Sequence, residues 1–299
     1  MPSKHRFQEK KFLVIPGEKL NLSKRATQPG TELSDKKHAK EAIASDVACL
    51  QKMQELLYAS GTRSLLIILQ GMDAAGKDSA IRHVMGAVNP QGCRVYSFKA
   101  PNNSELEHHF LWRAMPCLPG RGMISIFNRS YYEEVLVVRI HPQFLVPQKL
   151  PNVDTSSSKS LEKLWKRRYK EIAHFEKSLV ANGTLILKFF LHVSAEEQRL
   201  RFIERLTNPE KHWKFNSKDM EESGFWENYQ QAFEEALART STEESPWFVI
   251  PSDDKWYARA AIADIVSSRL ESLKLDYPSV SAADMALFDQ YLAQLQSKK

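Results

Sequence analysis

The sequence has few cysteines and no long apolar run, and each absence excludes a class of protein. Only three of its 299 residues are cysteine, namely Cys49, Cys93 and Cys117. Because they are odd in number and widely separated, they fit neither a disulfide framework nor a zinc site, and we expect small buried side chains. No apolar stretch approaches the roughly 20 residues of a membrane-spanning helix, and the basic start at residues 1–6 lacks the apolar region of a signal peptide. These absences predict a cytoplasmic protein without a membrane partner.

Basic residues are concentrated in two segments of the chain. The formal net charge of +6 and the isoelectric point near 9.0 favour an anionic partner. Residues 159–170 contain six Lys or Arg and residues 199–218 contain another six, whereas residues 219–235 contain six acidic residues and no Lys or Arg. Two such segments predict either a track for a polyanion or two solvated helix faces, and charge alone does not choose between them.

Apolar runs alternate with helical patterns along the chain. Ser64–Leu69 contains a continuous apolar run, which is typical of a strand covered on both faces of a parallel sheet. Four more strands are predicted at Arg94–Phe98, Met123–Phe127, Leu185–Leu191 and Trp247–Ile250. Helices are predicted at 35–58, 75–88, 104–115, 130–138, 160–181, 195–206 and 225–240. The alternation predicts an α/β protein with a five-stranded parallel sheet flanked by helices.

We expect a single structural domain. Residues 1–62 are predicted to form an N-terminal extension and a helix packed on the core, with residues 1 to about 33 wrapping the surface, and residues 63–299 hold the sheet. Ser104 precedes Glu107 by three residues and Ser130 precedes Glu133 by three, which predicts two capping boxes. Both glutamates are therefore assigned to helix capping and not to catalysis.

A phosphate-binding loop is predicted directly after the first strand. Residues 71–77 match the pattern Gly-x-x-x-x-Gly-Lys, with a strand before the motif and a helix after it. The glycines allow a sharp turn that directs backbone N–H groups and the helix N-terminus at phosphate oxygens. Lys77 supplies an ammonium that can follow the transferred phosphoryl group. The other residues expected to bind phosphate are Gly71, Ala74, Ala75, Gly76, Asp78 and Ser79.

The loop departs from the usual pattern at one position. Asp78 stands where a Ser or Thr normally follows the lysine to bind magnesium, and Ser79 comes one residue late. A carboxylate in a phosphate site repels its ligand unless a divalent cation lies between them, so Asp73 predicts bound Mg²⁺. The alternative is a glycine turn that only joins a strand to a helix, and the surrounding pattern disfavours it.

Two polar residues end the third predicted strand. Asn128 and Arg129 stand at the carboxyl end of that strand, the edge at which parallel sheets bind ligands. Arg129 is expected to point into the ligand crevice. For Asn128, which occupies the place of an acidic metal ligand, a role at the metal and a strand-end cap are equally compatible with the sequence.

A helical lid is predicted at residues 199–218. A basic helix that contains Arg205 ends before a proline, and a loop with Lys211 and Lys214 follows it. Such a segment can fold its cations over bound phosphates and exclude water. The alternative is a solvated helix with Trp213 docked on the core.

Five sequence blocks together resemble the polyphosphate kinase 2 family. They are residues 71–78, 110–113, 127–136, 208–215 and 246–256, the last of which begins with Pro-Trp and ends with Lys-Trp. The blocks follow the family's order over most of the chain, from about residue 63 to residue 259. The resemblance implies a P-loop kinase fold with a helical lid. It also implies Mg²⁺-dependent, reversible transfer of the terminal phosphoryl group of polyphosphate to nucleoside mono- and diphosphates, which converts AMP to ADP and ADP to ATP.

The resemblance also implies roles for particular residues. Catalytic roles fall on Asp73, Lys77, Arg129 and Arg205, and the metal falls on Asp73. Substrate binding falls additionally on Arg113, Asn128, Glu134, Lys211 and Lys214. Residues 128–134, Asn-Arg-Ser-Tyr-Tyr-Glu-Glu, are similar to the corresponding segment of the subgroup that phosphorylates both AMP and ADP. The implied partners are polyphosphate and adenine or guanine nucleotides, without nucleic acid, in a homodimer or homotetramer.

Two other functions are compatible with parts of this pattern. An ATP-dependent kinase for a nucleotide or small metabolite shares the P-loop, but it does not need two long basic segments. A basic polyanion binder with an unused P-loop is not an enzyme, and it would not need an intact lid and a second motif at residues 127–136. The combination of motifs favours the polyphosphate-dependent kinase.

Overall fold

The computed structural model describes residues 5–33 and 35–297, which form an α/β fold. Residues 1–4 of the predicted extension lie outside the described residues, as do Ser34 and residues 298–299. One sheet has the strand order β2-β3-β1-β4-β5, and every neighbouring pair is parallel. The strands are β1 (Ser64–Gly71), β2 (Cys93–Ser97), β3 (Ile124–Asn128), β4 (Thr184–His192) and β5 (Trp247–Pro251). The five predicted strands are therefore confirmed, each within two residues at either end.

Helices cover the sheet. Within the described residues they are α1 (Lys36–Ser60), α2 (Lys77–Val84), α3 (Asn103–Leu106), α4 (Val137–Ile140), α5 (Ser158–Ala181), α6 (Ala195–Thr207), α7 (Ser217–Ser223), α8 (Trp226–Thr240), α9 (Lys255–Glu271) and α10 (Ala282–Gln296). Helix α9 packs against α1 and α2, and α8 packs against α4 and α5. The first seven residues of β1 are all buried, as the apolar run predicted for a strand covered on both faces. None of the described helices is both long and apolar enough to cross a membrane.

Several helix predictions are corrected by the structure. Helix α2 begins only at Lys77, because the preceding residues form the loop. The helix predicted at 104–115 is wrong, because α3 ends at Leu106 and a 3₁₀ turn at Trp112–Cys117 follows, with Pro116 inside it. The helix predicted at 130–138 is a 3₁₀ turn, Tyr131–Val135, followed by the short α4. Helices α7, α9 and α10 were not predicted.

The two predicted capping boxes are also corrected. The capping box of α3 is formed by Asn102 and Glu105, whose side chains each bond the other's backbone N–H, and not by Ser104 and Glu107. Ser130 does cap the 3₁₀ turn that follows it, because its hydroxyl accepts from the N–H of Tyr132 at 3.2 Å. The Glu133 carboxylate lies beside Arg129 instead.

The described part of the N-terminal segment follows the free edge of β5. Leu13 pairs with Phe248 in an antiparallel bridge, and the N–H of Val14 donates to the carbonyl of Trp247 at 2.9 Å. Phe7 and Phe12 are buried in the core of the protein. This pairing covers backbone groups that an edge strand would otherwise expose.

Candidate functional site

The loop between β1 and α2 has the backbone conformation that a phosphate cradle requires. Ala74 and Gly76 adopt positive φ angles of 63° and 107°. Gly71 has a φ of 154°, and a Cβ atom added to it would lie 2.9 Å from the carbonyl oxygen of Leu191 on β4. Only glycine fits this close approach of two strands. The loop therefore turns sharply at the carboxyl edge of the sheet, where parallel sheets bind ligands.

Lys77 is held inside this loop. Its Nζ atom donates to the carbonyl oxygens of Gly71 at 2.7 Å and Met72 at 3.1 Å. Burial, together with the nearby Arg129, lowers the pKa of the Lys77 ammonium to about 8, although Asp73 opposes the change. A buried ammonium with only neutral carbonyls as direct partners stabilises an incoming anion.

Arg129 lies next to Lys77. Its φ of 60° is in the left-handed region, which is strained for a residue with a side chain. One guanidinium nitrogen lies 2.5 Å from Asp73 Oδ1 and another lies 3.6 Å from Glu133 Oε2. The Glu133 carboxylate raises the pKa of Arg129, so this cation stays charged. The turn after β3 thus places a second cation over the loop.

Two consecutive glutamates after Arg129, Glu133 and Glu134, have different surroundings. Burial raises the pKa of Glu133, although Arg129 and Lys77 oppose the change, so this carboxylate lies within the field of both cations. Glu134 instead forms a buried ion pair with Arg168 at 2.9 Å and accepts from Gln148 at 2.9 Å. No contact to a P-loop residue is seen for Glu134 among the described residues.

The side chain of Asn128 bridges two elements of the site. Its Nδ2 donates to Asp78 Oδ1 at 2.6 Å and so ties the end of β3 to the first turn of α2. The amide therefore neutralises part of the unusual carboxylate at position 78.

Residues of α6 hold the loop by hydrogen bonds to its backbone carbonyls, a function that the sequence motifs did not predict. Gln198 Nε2 donates to the carbonyl oxygen of Asp73 at 2.9 Å. Arg201 Nη1 donates to the carbonyl oxygens of Ala74 at 2.8 Å and Ala75 at 3.0 Å. Because these carbonyls face Arg201, α6 fixes the loop backbone from its carbonyl side. The only signal in the sequence was that Arg201 lies in a basic segment.

The rest of the predicted lid comprises the C-terminal end of α6, the 3₁₀ turn after it and the start of α7. Arg205 forms an ion pair with Asp219 at 3.0 Å, and burial together with the charge of Asp73 raises the pKa of Asp219. Lys211 and Lys214 lie in the 3₁₀ turn Pro209–Lys214, where Lys211 pairs with Glu204. Trp213 is 79% exposed, so the alternative in which it docks on the core is wrong.

The predicted site residues fall into two groups. The structure brings together the following at the carboxyl edge of β1 and β3: Gly71, Asp73, Ala74, Ala75, Gly76, Lys77, Asp78, Asn128 and Arg129. Ser79 lies one residue further on, where its hydroxyl accepts from Arg259 at 2.5 Å. Arg113 is bound elsewhere, to the carbonyl of Lys99 at 2.8 Å and to Glu105 at 3.5 Å.

The donor set at the loop fits a magnesium ion that is shared with a substrate. Within the described part of the chain no group of three or more His, Cys, Asp or Glu side chains is arranged to hold a metal ion. Mg²⁺ usually binds through one or two carboxylates together with substrate phosphates and water, and not in an all-protein cage. Asp73 provides one carboxylate at the loop, with an oxygen beyond the one that meets Arg129.

The fold and the site together define a P-loop phosphotransferase. A family model described as polyphosphate kinase 2 matches residues 33–278. The chain belongs to this family and is a polyphosphate-dependent phosphotransferase, which confirms the resemblance found in the sequence motifs. The alternative of a non-enzymatic polyanion binder is therefore wrong.

Individual relatives agree with the family. The chain is 46% identical to an ADP-polyphosphate phosphotransferase of Rhodopseudomonas palustris, over 93% of this chain and 95% of that protein. It is 45% identical to an AMP/ADP-polyphosphate phosphotransferase of Meiothermus ruber, over 92% and 97%. The crystal structure of polyphosphate kinase 2 from Arthrobacter aurescens TC1 superimposes with a TM-score of 0.84 at 36% identity, covering 97% of this chain and 99% of that one. The predicted P-loop kinase fold is thereby confirmed.

Proposed function

We propose that this protein transfers the terminal phosphoryl group of inorganic polyphosphate to AMP and to ADP, reversibly and with Mg²⁺. One observation carries the proposal. Lys77 and Arg129 meet at the phosphate loop, yet in the described parts of the chain their partners there are loop carbonyls and the carboxylates of Asp73 and Glu133 alone. These cations can exchange such partners for phosphate oxygens without unfolding anything around them.

The proposed chemistry is a direct in-line transfer. A phosphate oxygen of the nucleotide forms a bond to the terminal phosphorus, the bond from that phosphorus to its bridging oxygen breaks, and the electron pair stays on the shortened polyphosphate. Lys77 and Arg129 stabilise the charge on the transferred group and on the leaving oxygen. The attacking oxygen is already ionised near neutral pH, so no strong general base is needed. Asp73 would hold Mg²⁺, which would supply positive charge for the transferred phosphoryl group.

We assign the outer cations to holding the polyphosphate chain. Arg205, Lys211 and Lys214 lie on the segments that follow the loop-bracing part of α6, where a closing lid would bring them over the substrate. The basic segments 159–170 and 199–218 extend the positive surface beyond the loop. Contacts with these exposed cations would weaken as salt screens them.

The choice of acceptor follows from the relatives and the second motif. The Meiothermus ruber relative is named for both AMP and ADP, and the Rhodopseudomonas palustris relative is named for ADP. Asn128 occupies the position that distinguishes the subgroup acting on both. Guanine nucleotides are further candidate acceptors. We also propose a cytoplasmic location and a homodimer or homotetramer.

An acceptor assay tests this function. The purified protein is incubated with Mg²⁺ and polyphosphate, and with AMP or ADP, and nucleotides are separated by anion-exchange chromatography. We expect ADP and then ATP from AMP, and ATP from ADP, with no product when EDTA replaces Mg²⁺. A protein that leaves both nucleotides unchanged with polyphosphate, but phosphorylates a metabolite with ATP, would be an ordinary ATP-dependent kinase.

A further inference from the structure

Helices α1, α2 and α9 meet at a group of cations around Trp256, which ends the sequence block 246–256 and has no role in the site described above. The guanidinium carbon of Arg259 lies 4.4 Å from the centroid of the Trp256 ring. The ammonium nitrogens of Lys40 and Lys36 lie 5.2 Å and 5.4 Å from the same ring. The Trp256 cluster is defined here as this ring and the basic residues around it, namely Lys36, Lys40, Arg82, His83 and Arg259.

The cations of the Trp256 cluster have no ionic partners. None of its lysines and arginines forms an ion pair with a residue that the structure describes. Burial and then the charge of Arg82 lower the pKa of Arg259, while Asp254 opposes the change. Because like charges without counterions repel one another, an anion bound among them would stabilise the cluster.

Arg259 also has a hydrogen-bond donor without an acceptor. Its side chain is only 7% exposed, and its Nε atom is buried with no hydrogen-bond partner in the described chain. Its Nη2 atom donates to Ser79 Oγ at 2.5 Å. Buried donors without acceptors are rare and costly in folded proteins, so this atom is a second indication of a ligand that brings oxygen atoms.

The Trp256 cluster is continuous with the phosphate loop. Ser79, the partner of Arg259, stands two residues after Lys77 on α2. Arg201, which holds the loop carbonyls, also donates to the carbonyls of residues 252 and 253, directly before α9. The cluster therefore lies beside the loop and not at a remote part of the surface.

We propose that the Trp256 cluster binds the part of an inorganic polyphosphate chain that extends beyond the phosphate loop. This inference rests on the proposed function and deepens it, because it gives the phosphates that do not react a place on the protein. Arg82 stands five residues after Lys77, a rise of about 8 Å along α2, so a chain that leaves the loop along this helix soon meets the cluster.

The cluster also adjoins the lid. Lys255, the first residue of α9, lies 3.8 Å from a carboxylate oxygen of Glu204, and Lys211 of the lid pairs with the same glutamate. The polyphosphate chain would therefore run between two cationic surfaces, the lid on one side and the Trp256 cluster on the other.

An inorganic chain fits the cluster better than a nucleic acid does. Sites for single-stranded nucleic acids combine cations with aromatic rings on which the bases stack. In the Trp256 cluster the cations lie over the ring itself, and His83 packs edge-on against it at 5.4 Å. The ring thus holds charges in place by cation–π contacts, which suits a ligand made of phosphates alone.

Calorimetric titration with long-chain polyphosphate and with tripolyphosphate tests the inference, because only the long chain can fill the phosphate loop and the cluster together. The cluster variant combines Lys36→Gln, Lys40→Gln and Arg82→Gln. It should bind the long chain at least about 10-fold more weakly than wild type, the scale of three exposed charge contacts. Its affinity for tripolyphosphate should stay the same.

A matched control separates the cluster from the net charge of the protein. The control variant combines Lys37→Gln, Lys52→Gln and Arg121→Gln, which removes the same charge from exposed positions outside the cluster. Its dissociation constant for the long chain should change by less than about 3-fold, because distant surface charges are screened by salt.

Chemical mapping of the wild type locates the bound chain without any substitution. The protein is acetylated with acetic anhydride in the presence of either ligand, and modified lysines are quantified by mass spectrometry. We expect the long chain to protect Lys36 and Lys40 and tripolyphosphate to protect neither. Lys52, at an exposed position of α1, should stay equally reactive with both.

The results that would overturn the inference differ from those that would overturn the proposed function. Equal weakening in the cluster variant and the control, an equal loss of tripolyphosphate binding, or unprotected Lys36 and Lys40 would each overturn the inference. In transfer assays with ADP, the cluster variant should show a higher KM for the long chain and an unchanged turnover number. A wild type that binds the long chain at the cluster but transfers no phosphoryl group would contradict the proposed function alone.

Discussion

Lys188 in β4 and Lys77 at the start of α2 are both buried, but their surroundings are opposite in kind. Lys188 of β4 donates to Glu176 at 2.5 Å, to the hydroxyl of Tyr132 at 3.2 Å and to the carbonyl of Thr240 at 2.7 Å. The Glu176 carboxylate also accepts from Tyr131 at 2.8 Å. All three ammonium hydrogens have fixed partners, one of which carries the opposite charge.

Lys77 is surrounded quite differently. Its bonds are to neutral carbonyls of the loop, and the carboxylates nearest to it are shared with Arg129. Burial lowers the pKa of both lysines, but Glu176 opposes this change at Lys188 by direct contact. The comparison shows that a buried charge with a permanent counterion, such as Lys188, stabilises the fold only as part of a closed network. A buried charge without a permanent counterion, such as Lys77, is available to a ligand.

The largest expected effect is on the closed network. Lys188→Met leaves the Glu176 carboxylate buried without its counterion, so we expect the free energy of unfolding to fall by about 3 to 5 kcal/mol. Urea denaturation measures it, and Lys177→Met, at an exposed position of α5, should change it by less than about 0.5 kcal/mol. A Lys188→Met protein with wild-type stability but no activity would show that Lys188 serves catalysis and not stability.

The second effect is on catalysis. Lys77→Met should lower the turnover number with polyphosphate by at least about 100-fold, the scale of one lost transition-state contact. The free energy of unfolding should change by less than about 1 kcal/mol, because the ammonium has no buried counterion to leave behind. Steady-state rates and urea denaturation of the same preparations measure both, with Lys52→Met on the exposed face of α1 as the control. If Lys77→Met keeps full turnover, the site described above is not the catalytic one.

Asp46 of α1 is a third buried ionisable group, and its surroundings differ from those of both lysines. Among the described residues, neither of its carboxylate oxygens has a hydrogen-bond partner. Asp264 of α9 lies close to it, with Arg6 at 3.8 Å and His5 and Glu271 also nearby. Burial, reinforced by the charge of Asp264, raises the pKa of Asp46 from 3.8 to about 7. The folded state therefore binds a proton more tightly than the unfolded state, so stability decreases as the pH rises from about 4 to about 7.

Removal of this charge should stabilise the protein at high pH. We expect Asp46→Asn to gain about 1 to 3 kcal/mol of unfolding free energy relative to wild type on going from pH 5 to pH 8. Urea titrations at both pH values measure the gain, and Asp276→Asn, at an exposed position, serves as the control. Equal pH dependence in wild type and Asp46→Asn would show that Asp46 stays ionised in the folded protein.

Features carried by consecutive residues could be predicted from the sequence, whereas contacts between distant residues could not. The strands were found because burial on both faces demands an apolar run, and the loop was found because its chemistry is carried by consecutive residues. Arg201 was not assigned to the loop because its carbonyl partners precede it by more than 120 residues. Only the folded chain brings them together.

The different surroundings of Glu133 and Glu134 have a more local cause. The capping-box interpretation assumed a regular α-helix after Ser130, whereas the chain forms a 3₁₀ turn. Neighbouring side chains of a 3₁₀ turn point about 120° apart, so one glutamate faces the cations while the next faces Arg168. Sequence spacing alone cannot show which glutamate takes which direction.

The smallest expected effect separates bracing of the loop from chemistry. Arg201 joins four carbonyl groups, those of Ala74, Ala75, Ser252 and Asp253, and a single ammonium cannot reproduce this fork. We therefore expect Arg201→Lys to lower kcat/KM for polyphosphate by about 10-fold, equivalent to about 1.4 kcal/mol, since the loop N–H groups lose their fixed direction. Arg199→Lys, which changes an exposed arginine paired with Glu196, should leave kcat/KM unchanged. If both variants behave alike, α6 does not orient the loop, and the direction of the N–H groups must be set by the loop residues themselves.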